Sequence, residues 1–446
     1  MRRSLVGLGF TVLLVGSARA DLFDEIFGIK PGALSSVALP SVAPLVEKLG
    51  SPDYREREKA GKDLLALGDL AIPGIREALK IVDDPEVVRR LQVLARTLEN
   101  RRLGTARKVT FKVVNKPAKE ILAEIARQTG YKLKMDGDGE AKAVFSFDFK
   151  DVSFWEALDK VCDAAGFTAN QQDDDGTLAV YFTDATNPYT SYDGPFKIHA
   201  TNVNSSRSVQ LAAVPRRGSN QNQPESLNLN FTIQSEPKAP IVGVGGVHLS
   251  KAIDDAGATL IPFDPEAGTT SVSLYSPPIA YKSYAQSFSV NLARTDRTAK
   301  AIKEIRGKML VSVLSETKPE LVVNNLLKVK KERFAGRTAE VEVVRADWGN
   351  NLLTIELVVR QRNADPGDYS WQNSVYQRLE VFDANGIQFR FNGLTHQNAA
   401  VGIVSVTAQY TPPEGRKHGP PTKMQYVEWL TVNKEVSFAF KDVPLP

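Results

Sequence analysis

The sequence predicts an α+β multidomain chain: a short helical segment, a small duplicated βαβ domain, then an all-β region of sandwich type, read as two sandwiches. Three observations predict that order. Helical periodicity dominates from Val46 to Asn100, a strand–helix–strand pattern over residues 109–131 recurs over 145–167, and from Asn187 onward strands and turn signals prevail. At 446 residues the chain exceeds one ordinary domain and, at about 150 residues each, suggests about three. Hydrophobic residues at 42% and charged residues at 24% are the balance of an ordinary globular protein.

Residues 1–20, MRRSLVGLGFTVLLVGSARA, read as a signal peptide. Arg2 and Arg3 precede an apolar run from Leu5 to Val15, and Ala18-Arg19-Ala20 supplies the small-x-small site for cleavage. The run is too short to span a bilayer, and no Cys near residue 20 offers a lipid attachment site. The expected location is therefore outside the cytoplasm, periplasmic or extracellular, with no transmembrane segment in the mature chain. Residues 21–42 read as a connector containing Pro and Ser.

Losing Arg2, Arg3 and Arg19 leaves 53 of the 56 basic residues against 52 acidic ones, a net charge near +1. Nucleic acid is therefore not an expected partner. The basic run Lys328 to Arg333 reads as a solvated strand edge guarded by Lys. Cys162 stands alone, so no internal disulfide forms, and the four histidines lie far apart, outside any zinc spacing. No cofactor and no metal site are expected.

Residues 43–104 form the helical segment. Ser51-Pro52 is read as the N-cap and first position of one helix, with Ala60, Leu64 and Leu67 on one face and Gly68 as its stop. A second helix puts Ile72, Ile75 and Leu79 on one side. A third opens with Asp84-Pro85-Glu86 and carries Val87, Leu91, Leu94 and Leu98 inward. The Leu-Gly turn and the Asp-Pro-Glu-Val start make this segment resemble HEAT-like helical repeats over about one repeat and a half, fewer than the roughly three a solenoid needs. The resemblance implies protein binding, and a stabilising cap is the plainer alternative.

Within residues 105–183 the repeat has an offset of 36, Gly166 answering Gly130. Phe147 falls on Phe111, Phe149 on Val113, Glu156 on Glu120, Leu158 on Leu122, Val161 on Ile125 and Phe167 on Tyr131. Ser153 and Glu156 form a capping box in the second copy. The alternation of VTFKVVN and FSFDFKD marks half-buried strands, so a small sheet covered on one face by two helices is expected. The opening strand Val109 to Val114, Pro117 with Ile121-Leu122, Ile125-Ala126 and Gln128-Thr129-Gly130-Tyr131, then Val144 to Phe147, Phe154 to Cys162 and a hairpin over Asp173 to Phe182 make this part resemble the secretin and TonB short N-terminal (STN) domain. That resemblance implies docking of protein partners in the envelope. The acidic clusters at Asp136 to Glu140 and Asp173 to Asp175 read as turns, since their spacing fails as a calcium loop. Cys162 occupies an inward helix position. Residues 184–195, rich in Pro, Gly and small polar residues, read as a protease-sensitive linker between two independently folded halves.

The β region divides into sandwiches at 196–317 and 318–446, with Lys318-Pro319 as punctuation. SLNLNFTIQ followed by HLSKAIDDAG has a counterpart in NLLTIELVVRQ followed by YQRLEVFDANG. No nucleophile elbow, phosphate loop or dinucleotide fingerprint occurs, so no catalytic residues are nominated and no enzyme is expected. The binding candidates are the loop aromatics Tyr369, Trp371 and Tyr376, which could stack on sugar or anchor a protein, or fold back to cap a sandwich end.

The expected function is an exported, non-enzymatic interaction or structural protein of the bacterial envelope, docking an envelope protein through its helical and STN-like half. The alternative is a carbohydrate-binding or carbohydrate-acting protein using the β-sandwich region, with a glycan as partner. On export the mature N-terminus should be Asp21. N-terminal sequencing of the exported protein checks this, and a retained Met1 would contradict it.

Overall fold

The computed structural model describes residues 42–136, 143–171, 176–183, 186–206, 225–264, 269–270, 281–294, 298–362 and 370–446. The expected signal peptide, almost all of the expected connector, residues 137–140 of the first acidic cluster, all of the second cluster and Tyr369 lie outside the described residues. A short helical N-terminal part precedes a largely β chain, and the polypeptide forms two compact units, Met1–Leu98 and Glu99–Pro446.

In the first unit α1 (Ala43–Leu49), α2 (Tyr54–Ala66), α3 (Ala71–Ile81) and the body of α4 (Pro85–Gly104) share a core of Leu49, Ala60, Leu64, Ile72, Ile75, Val87, Leu91, Leu94 and Leu98. The start of α4 is as expected, with the Asp84 carboxylate accepting the Glu86 and Val87 N–H groups at 2.8 and 3.2 Å. The start of α2 is not. Asp53, not Ser51, is its N-cap and accepts the Arg55 N–H at 2.8 Å, while Ser51 Oγ accepts the Asp53 N–H at 3.1 Å. A carboxylate suits the positive end of the helix better than a hydroxyl, so Pro52 is left outside.

The second unit opens with the duplicated segment: β1 (Lys108–Pro117), α5 (Ala118–Thr129), β2 (Leu133–Asp136), β3 (Val144–Ser153), α6 (Phe154–Ala165), β4 (Phe167–Gln171) and β5 (Leu178–Phe182). Both helices end on a left-handed glycine, Gly130 at φ 73° and Gly166 at φ 71°. Ser153 caps α6: its Oγ accepts the Glu156 N–H at 3.4 Å and donates to the Glu156 carboxylate at 2.7 Å, so the Glu156 side chain meets the Ser153 hydroxyl rather than the backbone N–H that a reciprocal box uses. The strands form two sheets rather than the single one expected. The first strands of the two copies pair antiparallel as β1–β3, while the second strands meet through β5 in the order β2–β5–β4. Each copy therefore closes only by lending strands to the other.

Beyond it lie β6 (Thr190–Asp193), β7 (Phe196–Ser206), β8 (Glu225–Ser235), β9 (Ile241–Asp254), the short pair β10 (Phe263–Asp264) and β11 (Thr269–Thr270), and β12 (Ala285–Arg294). They are followed by β13 (Ala301–Asn324), β14 (Glu332–Ala335), β15 (Ala339–Gly349), β16 (Leu352–Gln361), β17 (Leu379–Asp383), β18 (Arg390–Ala400), β19 (Ile403–Thr411) and β20 (Pro421–Pro444). One core lies between the sheet β12–β8–β7–β6 and the strands β9, β13 and β20. A second lies between the sheet β14–β15–β16–β19–β18 and the other ends of β13 and β20 with β17.

The expected division at 317/318 falls inside β13, which stays one strand through two register shifts, Leu314/Glu316 and Pro319/Leu321 against β20. Nor are the two halves sequential. Val436, Phe438, Phe440 and Val443, the last strand residues of the chain, fill the first core, where Phe231 sits 5.3 Å from Phe438 and 5.5 Å from Phe440 between ring centroids.

The segment expected as a linker at 184–195 does not divide the chain. Its residues 190–193 are β6, paired with β7, and β6 also caps the edge of β20: Asp193 Oδ2 accepts the Ser437 N–H at 2.7 Å and Ser191 Oγ the Ala439 N–H at 3.4 Å. A buried polar junction completes the fusion. The fully buried Glu236 carboxylate accepts the Arg107 N–H at 3.0 and 3.1 Å and the Tyr131 hydroxyl at 2.6 Å, with Lys238 Nζ at 3.5 Å. Burial pushes this carboxyl up, against the pull of Lys238 and of the donors from Tyr131 and Arg107. Beside it Lys238 donates to the Thr105 carbonyl, and the Trp155 indole N–H donates to the Pro195 carbonyl at 3.1 Å.

Because three donors converge on one carboxylate away from water, Glu236→Ala should cost about 3–5 kcal/mol and make residues 186–195 cleavable, whereas gentle proteolysis should leave them intact in the native protein. Denaturant unfolding and limited chymotrypsin digestion, which can cut after Tyr189 and Tyr192, check both statements. Cys162 is buried, and burial pushes its thiol up to about 12. It should react slowly with thiol reagents at neutral pH and quickly in denaturant, followed by colorimetric thiol titration.

Candidate interaction site

The strand pair β1–β3 is the most open part of the duplicated segment. Among the described residues its two strands pair only with each other, so each has one edge with no described strand beside it. The near end of the β1 edge is closed by a side chain: the Gln128 amide accepts the Thr110 N–H at 2.9 Å and donates to the Thr110 carbonyl at 3.1 Å, standing in for a neighbouring strand. That role explains the Gln of the Gln-Thr-Gly turn, and only its contact with β1 reveals it.

Alternation sorts the ribbon into two faces. Lys108, Thr110 and Lys112 on β1 stand with Asp148 and Lys150 on β3 in water, Lys112 and Asp148 being register partners 3.6 Å apart and Lys108 pairing with Asp151. Such exposed pairs contribute little to stability. The other face is apolar. Phe149 is covered by the helices, with Phe147 stacked on it at 5.2 Å and Phe111 edge-on at 5.1 Å, but Phe111, Val113, Phe145 and Phe147 are only half-buried. Toward the far end the register shifts between Val113 and Lys116 around Asn115 at φ 52°, and here Val114 and Val144 are 61% and 52% exposed. A bulge with apolar surface on a ribbon of open edges can take an additional extended segment by backbone pairing and side-chain burial.

The aromatics singled out in the sequence do not form a binding loop. Trp371 is buried in the second core, its indole N–H enclosed without a partner, and Tyr376 is half-buried with its ring stacked on Phe391 at 4.6 Å. Both belong to a 3₁₀ segment, Ser370–Arg378, whose turn points Trp371, Ser374 and Val375 inward together. They cap the sandwich end, where water would otherwise reach the core. Tyr369 lies outside the described residues. Among the described residues no group of three His, Cys, Asp or Glu side chains is placed to hold a metal ion, and no helix is long and apolar enough to cross a membrane.

No protein-family model and no curated protein matches the sequence. Two solved structures align over part of it. The conserved domain protein from Bacillus anthracis is 9% identical, covering 57% of this chain and 91% of its own at a TM-score of 0.14. The N-terminal periplasmic domain of ScsB from Proteus mirabilis is 12% identical, covering 56% of this chain and 96% of its own at a TM-score of 0.15. Scores this low establish no shared fold.

Proposed function

We propose that the protein is an exported, non-enzymatic interaction or structural protein of the bacterial envelope that docks a protein partner through its helical and STN-like half. The observation that supports this reading is the far end of the β1–β3 ribbon, where open strand edges and the exposed Val114 and Val144 coincide. Its partner is an envelope protein that contributes an extended segment with apolar side chains. The fusion through Glu236 and β6 suits such a role, because a ribbon mounted on a rigid body loses little entropy when its partner arrives. For the alternative, a carbohydrate-binding or carbohydrate-acting protein using the β-sandwich region, Trp371 supplies no stacking surface, because its ring lies in a core.

The test uses the whole mature chain as bait for an envelope extract, with Val114→Asp and Val144→Asp compared against the unaltered protein. Both positions are exposed, so stability should change by no more than about 0.5 kcal/mol. Capture of a specific protein should fall about tenfold in each variant. Equal capture by all three, or no specific capture at all, overturns the reading.

A further inference from the structure

A second surface lies on the outer face of the sheet β12–β8–β7–β6. Its inward positions are apolar: Ile198 and Ala200 on β7, Leu229 and Phe231 on β8, Phe288 and Val290 on β12. The outward positions align by register into three rows, Asn204–Asn228–Asn291, Asn202–Asn230–Ser289 and His199–Thr232–Ser287. None of the nine carries a charge, since burial, with Lys197 beside it, lowers His199 to about 4.

Adjacent strands stand about 4.8 Å apart and alternate residues about 6.8 Å apart, so these side chains form a flat lattice of amides and hydroxyls. Part of it is already ordered. Asn202 Oδ1 accepts from Asn230 Nδ2 at 2.5 Å and from Asn204 Nδ2 at 3.1 Å, and the Thr232 and Ser287 hydroxyls lie 3.1 Å apart. The duplicated segment walls off the next row, where Lys197 pairs with Asp159 at 2.7 Å and Gln234 donates to Asn170 at 3.1 Å. At the β7 bulge between Ala200 and Asn202, a groove of about 330 Å³ is lined by Tyr189, Asn202 and Val203 with the inward-facing Ala200 and Leu229 and the C-terminal Val443, so it borders the first core rather than the lattice.

Ordinary solvation does not account for this composition. Asn is a poor strand former, so five of them in adjoining strands work against the sheet they decorate. The charged residues that usually keep an outer face soluble, 24% of the chain, are missing from all three rows.

We infer that this face is a binding site for a neutral polysaccharide, an extended polyhydroxylated chain laid on the lattice. Amides and hydroxyls each offer a donor and an acceptor, as every sugar hydroxyl does. A flat surface suits a polymer, whereas small ligands take concave sites. Among the described residues the three rows hold none of the Lys and Arg groups that nucleic acids and anionic polymers require and none of the aromatic anchors typical of protein interfaces.

The test is retention of the whole mature protein by a panel of immobilised polysaccharides at low and high salt, the neutral ones being amylose, β-1,4-glucan, xylan and chitin, the charged ones polygalacturonate and heparin. At least one neutral polymer should retain the protein equally at both salt concentrations. Asn230→Ala should weaken that retention about tenfold, the loss of one amide's hydrogen bonds. Ser289→Lys, which lays a long side chain across the middle row without touching the core, should weaken it similarly with an unchanged melting temperature. Retention by no neutral polymer, retention only by charged ones and abolished by salt, or retention unaltered in both variants overturns the proposal. The Val114→Asp protein should bind the polymer normally, so the outcome is separable from protein docking by the ribbon.

Discussion

The β-rich part of this protein depends on one ladder. The 24-residue strands β13 and β20 run antiparallel from Ala301 opposite Pro444 to Asn324 opposite Lys423, and both β cores are built on that pair. Around residues 315–320 the pair shifts register twice, each time by one residue of β13, and the second shift restores the alternation that the first reverses. The same alternation of one continuous ladder therefore serves the first core at one end and the second core at the other. Val311 and Val313 serve the first core, Leu321 and Val323 the second. The consequence is that the first core waits for the C-terminus, because Phe438 and Phe440 arrive from the last strand made. Contacts of such separation in sequence are slow to form.

A second constraint sits where the duplicated segment meets the first core. Glu236 is enclosed, and the groups that solvate it come from Arg107, Tyr131 and Lys238, two of them on the other side of the junction. A buried carboxylate is tolerated only with partners of this kind, and separating the two bodies would leave it bare. The junction therefore specifies one arrangement rather than merely favouring contact. The same segment uses Asp159 and Asn170 to border the amide lattice, so one rigid body carries both the ribbon and the lattice.

The two proposed surfaces divide the chemistry between them. The ribbon offers backbone edges and apolar side chains, the currency of protein recognition, while the lattice offers neutral donors and acceptors without anchors. An envelope protein equipped with both would hold a protein and a polysaccharide at a fixed separation.

The sequence by itself determined the elements whose signals are local. The repeat at an offset of 36, the left-handed stops at Gly130 and Gly166, the Ser153 cap, the Asp84 cap and the inward face of α4 could be read from spacing, because each rests on contacts within one turn or one helix face. The coarse order of helical start and β-rich remainder was legible for the same reason. Tertiary structure alone decided the rest. Lys318-Pro319 looked like a boundary but lies within a strand, since register shifts absorb the Pro and the pairing with β20 continues past it. Residues 190–193 looked like a linker but form an edge strand, held by Ser437 and Ala439 from some 245 residues away. For Trp371 the sequence left a loop anchor and a sandwich cap both open, because periodicity fails in a 3₁₀ turn, and only the core beneath it shows which way the ring faces. The Asn of β7 and β8 were visible as alternation, yet a lattice exists only once β12 is laid in register beside them, and register between strands distant in sequence is a property of the fold.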